Sequence, residues 1–469
     1  MAESGDRGSD LLVIFGITGD LARKMTFRAL YRLERRELLQ CPVLGVAGDD
    51  ITTAELVNRA RKAIADSGET LDDKVFDRLA DRLSYLHGDV TDSALYESLA
   101  KRIGRKRDCL YYLEMPPSLF APIVESLAKA GLLEHSRVAV EKPFGHDLKS
   151  ACELNARLHA VLNEDQIFRV DHFLGKQPVV EVEYLRFGNL ALAEMWDRHR
   201  ISQIQITMAE DFGVDDRGKF YDGVGALRDV VQNHLLQVLA GVAMEPPIGP
   251  SADDLNDKKA DVLRAIPALD PDRCVRGQYR GYTDIDGVGK RSQTETFVAL
   301  RLDIDNWRWA GVPIFLRAGK AMAEQVTEVR LLTQRVPALS FLPERRQAEP
   351  NQIVLRVDPD PGLRVQLTAL DGGRWRDVHL DSSFMQDLGE PLTPYERILH
   401  AGLTGDRQLF AREDSIEETW RIVQPLLDNP AKVHRYESGS WGPEEARSLL
   451  RGYHGWQQPW LPGNRRASQ

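Results

Sequence analysis

The chain is 469 residues long and carries 61 Lys+Arg against 71 Asp+Glu, a formal net charge of −10. That balance excludes broad binding to nucleic acid or to an anionic membrane, because no excess of cations is available to release phosphate counterions. At 42% hydrophobic, 28% charged and 7% aromatic residues, the composition is that of a folded globular protein, and the length suits two or three domains of ~150 residues each.

The first ten residues, Met1 to Asp10, are polar and acidic where a signal peptide needs basic residues followed by an apolar run. No apolar stretch approaches the ~18 residues that span a bilayer. A cytoplasmic protein without membrane association is therefore expected. Short apolar runs at Leu11–Ile17, Val43–Ala47, Leu83–Leu86, Leu110–Leu113 and Val138–Val140 read as strands, with helical patterns such as Leu21–Leu39 and Pro117–Ala130 between them. This rhythm predicts a parallel sheet with helices on both faces. Beyond about residue 200 the texture changes to period-two alternation, in Ile204, Ile206, Met208 and again in Val298, Leu300, Leu302, Ile304. Pro313–Ala318, Val329–Leu332, Ile353–Val357 and Leu363–Leu367 continue it, and helices at Val230–Val242 and Glu417–Leu427 would cover one face of an antiparallel sheet. The fold class is thus α/β followed by α+β, divided as 1–175 and 176–469, with the active site expected in the cleft between the two domains. Cys41, Cys109, Cys152 and Cys274 are widely scattered and read as reduced, buried thiols, with neither a disulfide framework nor a cysteine zinc site.

Directly after the first strand comes Gly16-Ile17-Thr18-Gly19-Asp20-Leu21. Glycines at a strand-to-helix turn let backbone N–H groups approach a pyrophosphate at the helix N-terminus, which favours a dinucleotide site over a plain tight turn. The second strand ends Gly45-Val46-Ala47-Gly48-Asp49-Asp50. A carboxylate there accepts hydrogen bonds from ribose hydroxyls and repels a 2′-phosphate, so the residues by themselves favour NAD; the alternative is that Asp49 and Asp50 cap the next helix. Lys142, in Glu141-Lys142-Pro143-Phe144-Gly145, follows another apolar strand and is placed to hold a substrate hydroxyl. In Arg169-Val170-Asp171-His172-Phe173-Leu174-Gly175-Lys176, a helix would put His172 and Lys176 on one face, a pair suited to a phosphate monoester. A second acid–histidine set is Asp229 with His234; their offset of five does not share a face of an α-helix, which gives them separate tasks. Glu210 and Lys320 add polar groups at strand ends. None of these spacings is a zinc signature, so no metal is expected.

The segments GITGDLARK (16–24), EKPFGHDL (141–148), RVDHFLGKQ (169–177), RDVVQNHLLQ (228–237) and VPIFLRAGK (312–320) resemble, in order and spacing, those of the glucose-6-phosphate dehydrogenase family, over about residues 11–455. The resemblance implies a Rossmann-like coenzyme domain beside a β+α substrate and dimerisation domain, and oxidation of β-D-glucose 6-phosphate at C1 to the 1,5-lactone with NADP or NAD, the first step of the oxidative pentose phosphate pathway. By the same resemblance His234 is the general base and Asp171 the carboxylate that orients it. His172 and Lys176 grip the phosphate, and Lys142, Glu210, Asp229 and Lys320 are further sugar and phosphate ligands. The coenzyme contacts implied are Gly16, Thr18, Gly19, Asp20, Leu21, Asp49, Asp89, Val90, Met115, Pro116 and Lys142, and a homodimer or homotetramer is expected. Four positions depart from the family pattern. Gly48, followed by Asp49, stands where the 2′-phosphate arginine is usual, Phe173 replaces a tyrosine, Gln325 a basic residue, and Asp358 a glutamine. The last three predict weaker sugar-phosphate binding, or a somewhat shifted substrate such as another aldose phosphate, without touching the base.

Overall fold

Five short apolar runs and one mixed one build the first sheet. In the computed structural model, which describes residues 8–104, 107–337, 349–372 and 374–461, they are β1 (Leu11–Phe15), β2 (Val43–Ala47), β3 (Leu83–His87), β4 (Cys109–Leu113), β5 (Arg137–Glu141) and β6 (Ile167–Val170). Residues 1–7 of the N-terminal reading lie outside the described residues. Every residue of β1, β2 and β4 is buried, as expected for strands covered on both faces. All five pairings among the six are parallel, in the order β6-β5-β4-β1-β2-β3, and the short strand Phe410–Ala411 closes the β6 edge antiparallel. The chain leaves β1 in one direction and β4 in the other. Ligands of such sheets bind at that switch point, outside the carboxyl ends of β1 and β4.

The helices between these strands begin where the sequence offers a cap. Thr52 and Glu55 form a capping box for Thr53–Asp66, Asp72 caps Asp73–Arg82, Asp92 caps Ser93–Ile103, and Asp147 with Ser150 caps Leu148–His159. Thr52 thus does the work that the alternative reading gave to Asp49 and Asp50. This first compact unit comprises Met1–Gly175 together with two later segments, Gly249–Asn256 and Leu392–Glu417. The second segment supplies the helix Pro394–Thr404, whose fully buried Glu396 accepts from Arg32 Nε at 2.7 Å and lies 3.2 Å from Arg36 Nε. An ion pair between positions 364 apart in sequence leaves no local signal.

The second unit comprises Lys176–Ile248, Asp257–Pro391 and Glu418–Gln469. Its strands are β7 (Ile201–Ala209), β8 (Cys274–Tyr279), β9 (Phe297–Leu302), β10 (Ile314–Gly319), β11 (Val326–Thr333), β12 (Gln352–Asp358), β13 (Gly362–Asp371) and β14 (Arg374–Ser383). They form one sheet in the order β14-β13-β12-β11-β7-β10-β9-β8, with Val433–Tyr436 added beside β8. Six of its eight pairings are antiparallel; β7 with β10 and β8 with Val433–Tyr436 are parallel.

One face of this sheet is polar yet buried. Gln203 and Gln205 of β7 donate to the carbonyls of His454 and Gly455, Arg330 donates to Gln458 O and Arg356 to Trp460 O. Trp460 N–H donates back to Glu328 at 2.9 Å. The Arg317 guanidinium lies between the rings of Trp441 and Trp456, 4.8 and 4.6 Å from their centroids, a stacked arrangement that suits its delocalised charge. The backbone of residues 454–460 therefore satisfies side chains that would be costly to bury alone. Among the described residues no disulfide forms; Cys41, Cys109 and Cys274 are buried, whereas Cys152, expected to be buried, is half-exposed on a surface helix.

Candidate active site

The coenzyme site starts from the turn after β1. Gly16 adopts φ +83°, and a Cβ there would stand 2.3 Å from the carbonyl oxygen of Glu114, so only glycine fits both the left-handed backbone and the close approach of β4. Gly19 N–H donates to Gly16 O at 2.8 Å, closing the turn that leads into the helix. Gly45 serves the same end from β2, since a Cβ on it would run into Ile17 at 2.6 Å. A groove of about 450 Å³ opens here, at the carboxyl ends of β1, β2 and β4. Of the expected coenzyme contacts, Gly16, Thr18, Gly19, Asp89, Val90 and Met115 line it.

Several expected contacts have structural work of their own. The Asp20 carboxylate accepts from Arg23 at 2.9 Å on the surface, Leu21 packs against the unit's core, and Asp89 accepts from Thr91 N–H and its hydroxyl, both at 2.8 Å. Asp49 lies at the end of β2, accepts from the Thr18 hydroxyl and is 3.8 Å from Arg59. Pro116 is exposed after β4, and Lys142 follows β5 directly. The sequence reading missed Ala47, His87, Gly88 and Glu114, which also line the groove. Their positions at or just beyond the carboxyl ends of β2, β3 and β4 were the available signal.

Glu114 and Glu141 are two buried carboxyls of this unit. The Glu114 carboxyl accepts from the Thr26 hydroxyl, and its second oxygen has no hydrogen-bond partner among the described residues. Burial holds its proton on up to about 8. Glu141 accepts from the Tyr112 hydroxyl at 2.5 Å, and burial, opposed by that bond, pushes it up to about 7. Between the ordinary carboxylate value near 4.5 and about 8, the folded chain keeps a proton on Glu114 that the unfolded chain has lost. Stability contributed at this position therefore falls as pH rises through that window. Glu114→Gln, which stays neutral, should gain stability relative to the parent between pH 5.5 and pH 9 in urea unfolding; a gap that does not change with pH would refute the assignment.

The segment 171–176 is a turn, not the helix that would have put His172 and Lys176 on one face; the helix begins at Gln177. The Asp171 carboxylate accepts from Phe173 N–H at 3.0 Å, a local bond that favours a turn over a helix. Gly175 passes so close to Pro394 that a Cβ would lie 2.8 Å from its carbonyl oxygen. His172 stacks on Tyr395, with ring centroids 6.2 Å apart and planes 12° from parallel.

In the second unit, Glu210 and Lys320 follow the parallel strands β7 and β10, whose last residues Ala209 and Gly319 are in register. They meet at the sheet end, Lys320 Nζ donating to Glu210 at 2.5 Å. Lys176 is likewise ion-paired, with Asp358. His234 and Asp229 lie on a π-helical segment, Leu227–Leu235, that continues as an α-helix to Ala243. Its i→i+5 hydrogen bonding brings positions five apart toward one face, which corrects the α-helical expectation that Asp229 and His234 point apart. The segment is seated by Glu295, unremarked in the sequence, whose carboxylate accepts from Leu227 N–H at 3.0 Å and from Arg276 at 2.6 Å. That places a negative charge at the positive end of the helix. His234 is almost wholly buried, and its backbone N–H donates to the Asn233 side chain at 2.6 Å.

A parallel sheet of this order with a glycine turn at its switch point is that of a dinucleotide-binding domain, and the chain is accordingly of the class of nicotinamide-dependent oxidoreductases. Residues 13–181 match the family model "Glucose-6-phosphate dehydrogenase, NAD binding domain" and residues 183–460 match "Glucose-6-phosphate dehydrogenase, C-terminal domain". The chain belongs to the glucose-6-phosphate dehydrogenase family. It is 74% identical over 462 residues to glucose-6-phosphate 1-dehydrogenase 1 of Mycobacterium tuberculosis, covering 98% of this chain and 99% of that one. The crystal structure of glucose-6-phosphate 1-dehydrogenase from Mycobacterium avium is 72% identical, covers 97% of this chain with all of its own, and superposes with a TM-score of 0.90. A glucose-6-phosphate dehydrogenase in complex with its substrate glucose 6-phosphate, 32% identical, gives the same coverage and TM-score.

Proposed function

We infer that the chain oxidises β-D-glucose 6-phosphate at C1 to 6-phospho-D-glucono-1,5-lactone, the first step of the oxidative pentose phosphate pathway, with NADP or NAD as coenzyme. The observation that carries this reading is the 74% identity along 98% of the chain. His234 takes the proton of the C1 hydroxyl, and Asp171 holds the imidazole in the tautomer that can accept it and stabilises the imidazolium. His172 and Lys176 bind the phosphate, and Lys142, Glu210, Asp229 and Lys320 orient the sugar. Gly16 and Gly19 close the turn that brings a helix N-terminus, an end that favours an anion, to the pyrophosphate, with Thr18, Asp20, Leu21, Asp49, Asp89, Val90, Met115, Pro116 and Lys142 completing the coenzyme contacts. The coenzyme, when bound, supplies the two-electron acceptor. One base suffices for a hemiacetal C1–H donor, so the reading needs no metal.

Residues 1–175 serve as the coenzyme domain and 176–469 as the substrate and dimerisation domain of a cytoplasmic homodimer or homotetramer. Exposed Leu367 on β13, opposite exposed Val378 on β14, and exposed Leu380 two positions further along β14 support an association surface. No helix among the described residues is long and apolar enough to cross a membrane. Glucose 6-phosphate labelled with carbon-13 at C1, followed by NMR, should give the lactone and then the acid carbonyl at C1; label that stays in the aldose, or oxidation elsewhere, would overturn the reading.

The Lys176–Asp358 ion pair has a kinetic consequence. A phosphate must draw Lys176 away from a carboxylate that the usual glutamine would not present. Asp358→Gln should lower KM for glucose 6-phosphate several-fold with little change in kcat, measured by initial rates; an unchanged or higher KM would show that Asp358 does not compete.

A further inference from the structure

A second hollow, of about 290 Å³, shares Thr18 and Gly19 with the coenzyme groove. Its wall carries three cations, Arg23, Arg59 and Lys62, and one acid, Asp66. Arg59 and Lys62 come from the helix Thr53–Asp66, three positions apart and hence on one face. Asp49 contacts Thr18, which lines both hollow and groove, and Arg59 of the hollow. One of its carboxylate oxygens accepts from the Thr18 hydroxyl, and the other is 3.8 Å from Arg59. Beside it, a Cβ on Gly48 would meet nothing within 4 Å, so the space that a larger residue would fill is open.

We propose that this hollow is the 2′-phosphate site for NADP, with Arg59 as the residue that decides between the two coenzymes and Lys62 and Arg23 as its supporting charges. The proposal rests on the reading of the neighbouring groove as the coenzyme site. Asp49 is then an internal anion that occupies Arg59 and Thr18. It suits NAD, whose free ribose hydroxyls can donate to it. A phosphate monoester carries nearly twice the charge of a carboxylate and three acceptor oxygens, and a guanidinium can meet two of them at once. It therefore draws Arg59 and the Thr18 hydroxyl away from Asp49. Arg59 and Asp49 act in opposite directions on one preference, and the chain accepts both coenzymes.

Titration calorimetry with adenosine 2′,5′-bisphosphate and with AMP tests this without turnover. In the unaltered chain both should bind. Arg59→Ala should lower the affinity ratio of bisphosphate to AMP at least tenfold, and the NADP-to-NAD ratio of kcat/KM by a similar factor. Lys62→Ala should lower both ratios less, and Asp49→Asn should raise them. Arg61→Ala removes the same charge from the same helix, but Arg61 is held by Asp73 at 2.8 Å and does not line the hollow, so the ratios should stay within twofold. Ratios that move less than tenfold in Arg59→Ala, or that move equally in Arg61→Ala, would overturn the proposal. If the unaltered chain bound neither nucleotide, the coenzyme reading of the groove would fall, and this site with it.

Discussion

Replacing His234 with asparagine should cut kcat by roughly 10²–10⁴-fold, the span over which a positioned general base acts, equivalent to about 3–5 kcal/mol of barrier. Asparagine keeps the polarity of the position but cannot take the C1 hydroxyl proton at neutral pH. The lesion should appear in kcat, with KM for glucose 6-phosphate changed little, because the loss is of an interaction made in the transition state. The helix that carries His234 is seated by Glu295 at Leu227 and continues as a fully buried helix to Ala243, so the variant should fold. Asp171→Asn should be less severe in chemistry but should shift the pH profile, since an amide no longer favours the imidazolium. Retained turnover in His234→Asn, with normal unfolding curves, would remove His234 from the role of base.

Gly16→Ala should disable the chain by a different route. At φ +83° an L-residue pays about 1–2 kcal/mol in backbone strain, and the added methyl, 2.3 Å from Glu114 O, must also force β1 and β4 apart. Overpacking of this kind typically costs about 1–3 kcal/mol more. The displaced turn leads directly into the helix N-terminus at the coenzyme groove, so KM for either coenzyme should rise by at least an order of magnitude while the melting temperature falls. Gly48→Ala is the control for stability, because a Cβ there meets nothing within 4 Å. Equal melting temperatures for Gly16→Ala and the parent would contradict the close approach of β4.

The first unit was largely legible because its strands are continuous apolar runs and its helices start at capping residues; the places of β1 to β5 along the chain and the glycine turn follow from these local signals, whereas the order of the strands in the sheet does not. The two returning segments were not, since nothing near Glu396 or Asp253 announces partners at Arg32 and Arg407. The second sheet was legible where one face alternates, as in β7, β9 and β10. It was obscured at β14, which offers few apolar residues, and at β8, which is interrupted by Gly277. In β11 and β12 the buried Arg330–Glu328 pair, and the buried Arg356 held by exposed Asp360 just beyond β12, put charge where burial usually puts carbon. The site residues were reached through motifs, but their present partners were not. Lys176 with Asp358, Lys320 with Glu210, and Asp49 with Thr18 and Arg59 each join residues more than thirty apart, except for the Asp49–Arg59 contact across one loop. The π-helical geometry around His234 also left no trace in a pattern read at α-helical period.

The initial rate of absorbance rise at 340 nm with glucose 6-phosphate, run in parallel with NADP and with NAD, is the most direct test of the enzyme reading. Turnover with both coenzymes, abolished when glucose replaces glucose 6-phosphate at the same concentration, is predicted. No rise with either coenzyme, from protein shown to be folded, would contradict it and leave a coenzyme-binding relative without this activity.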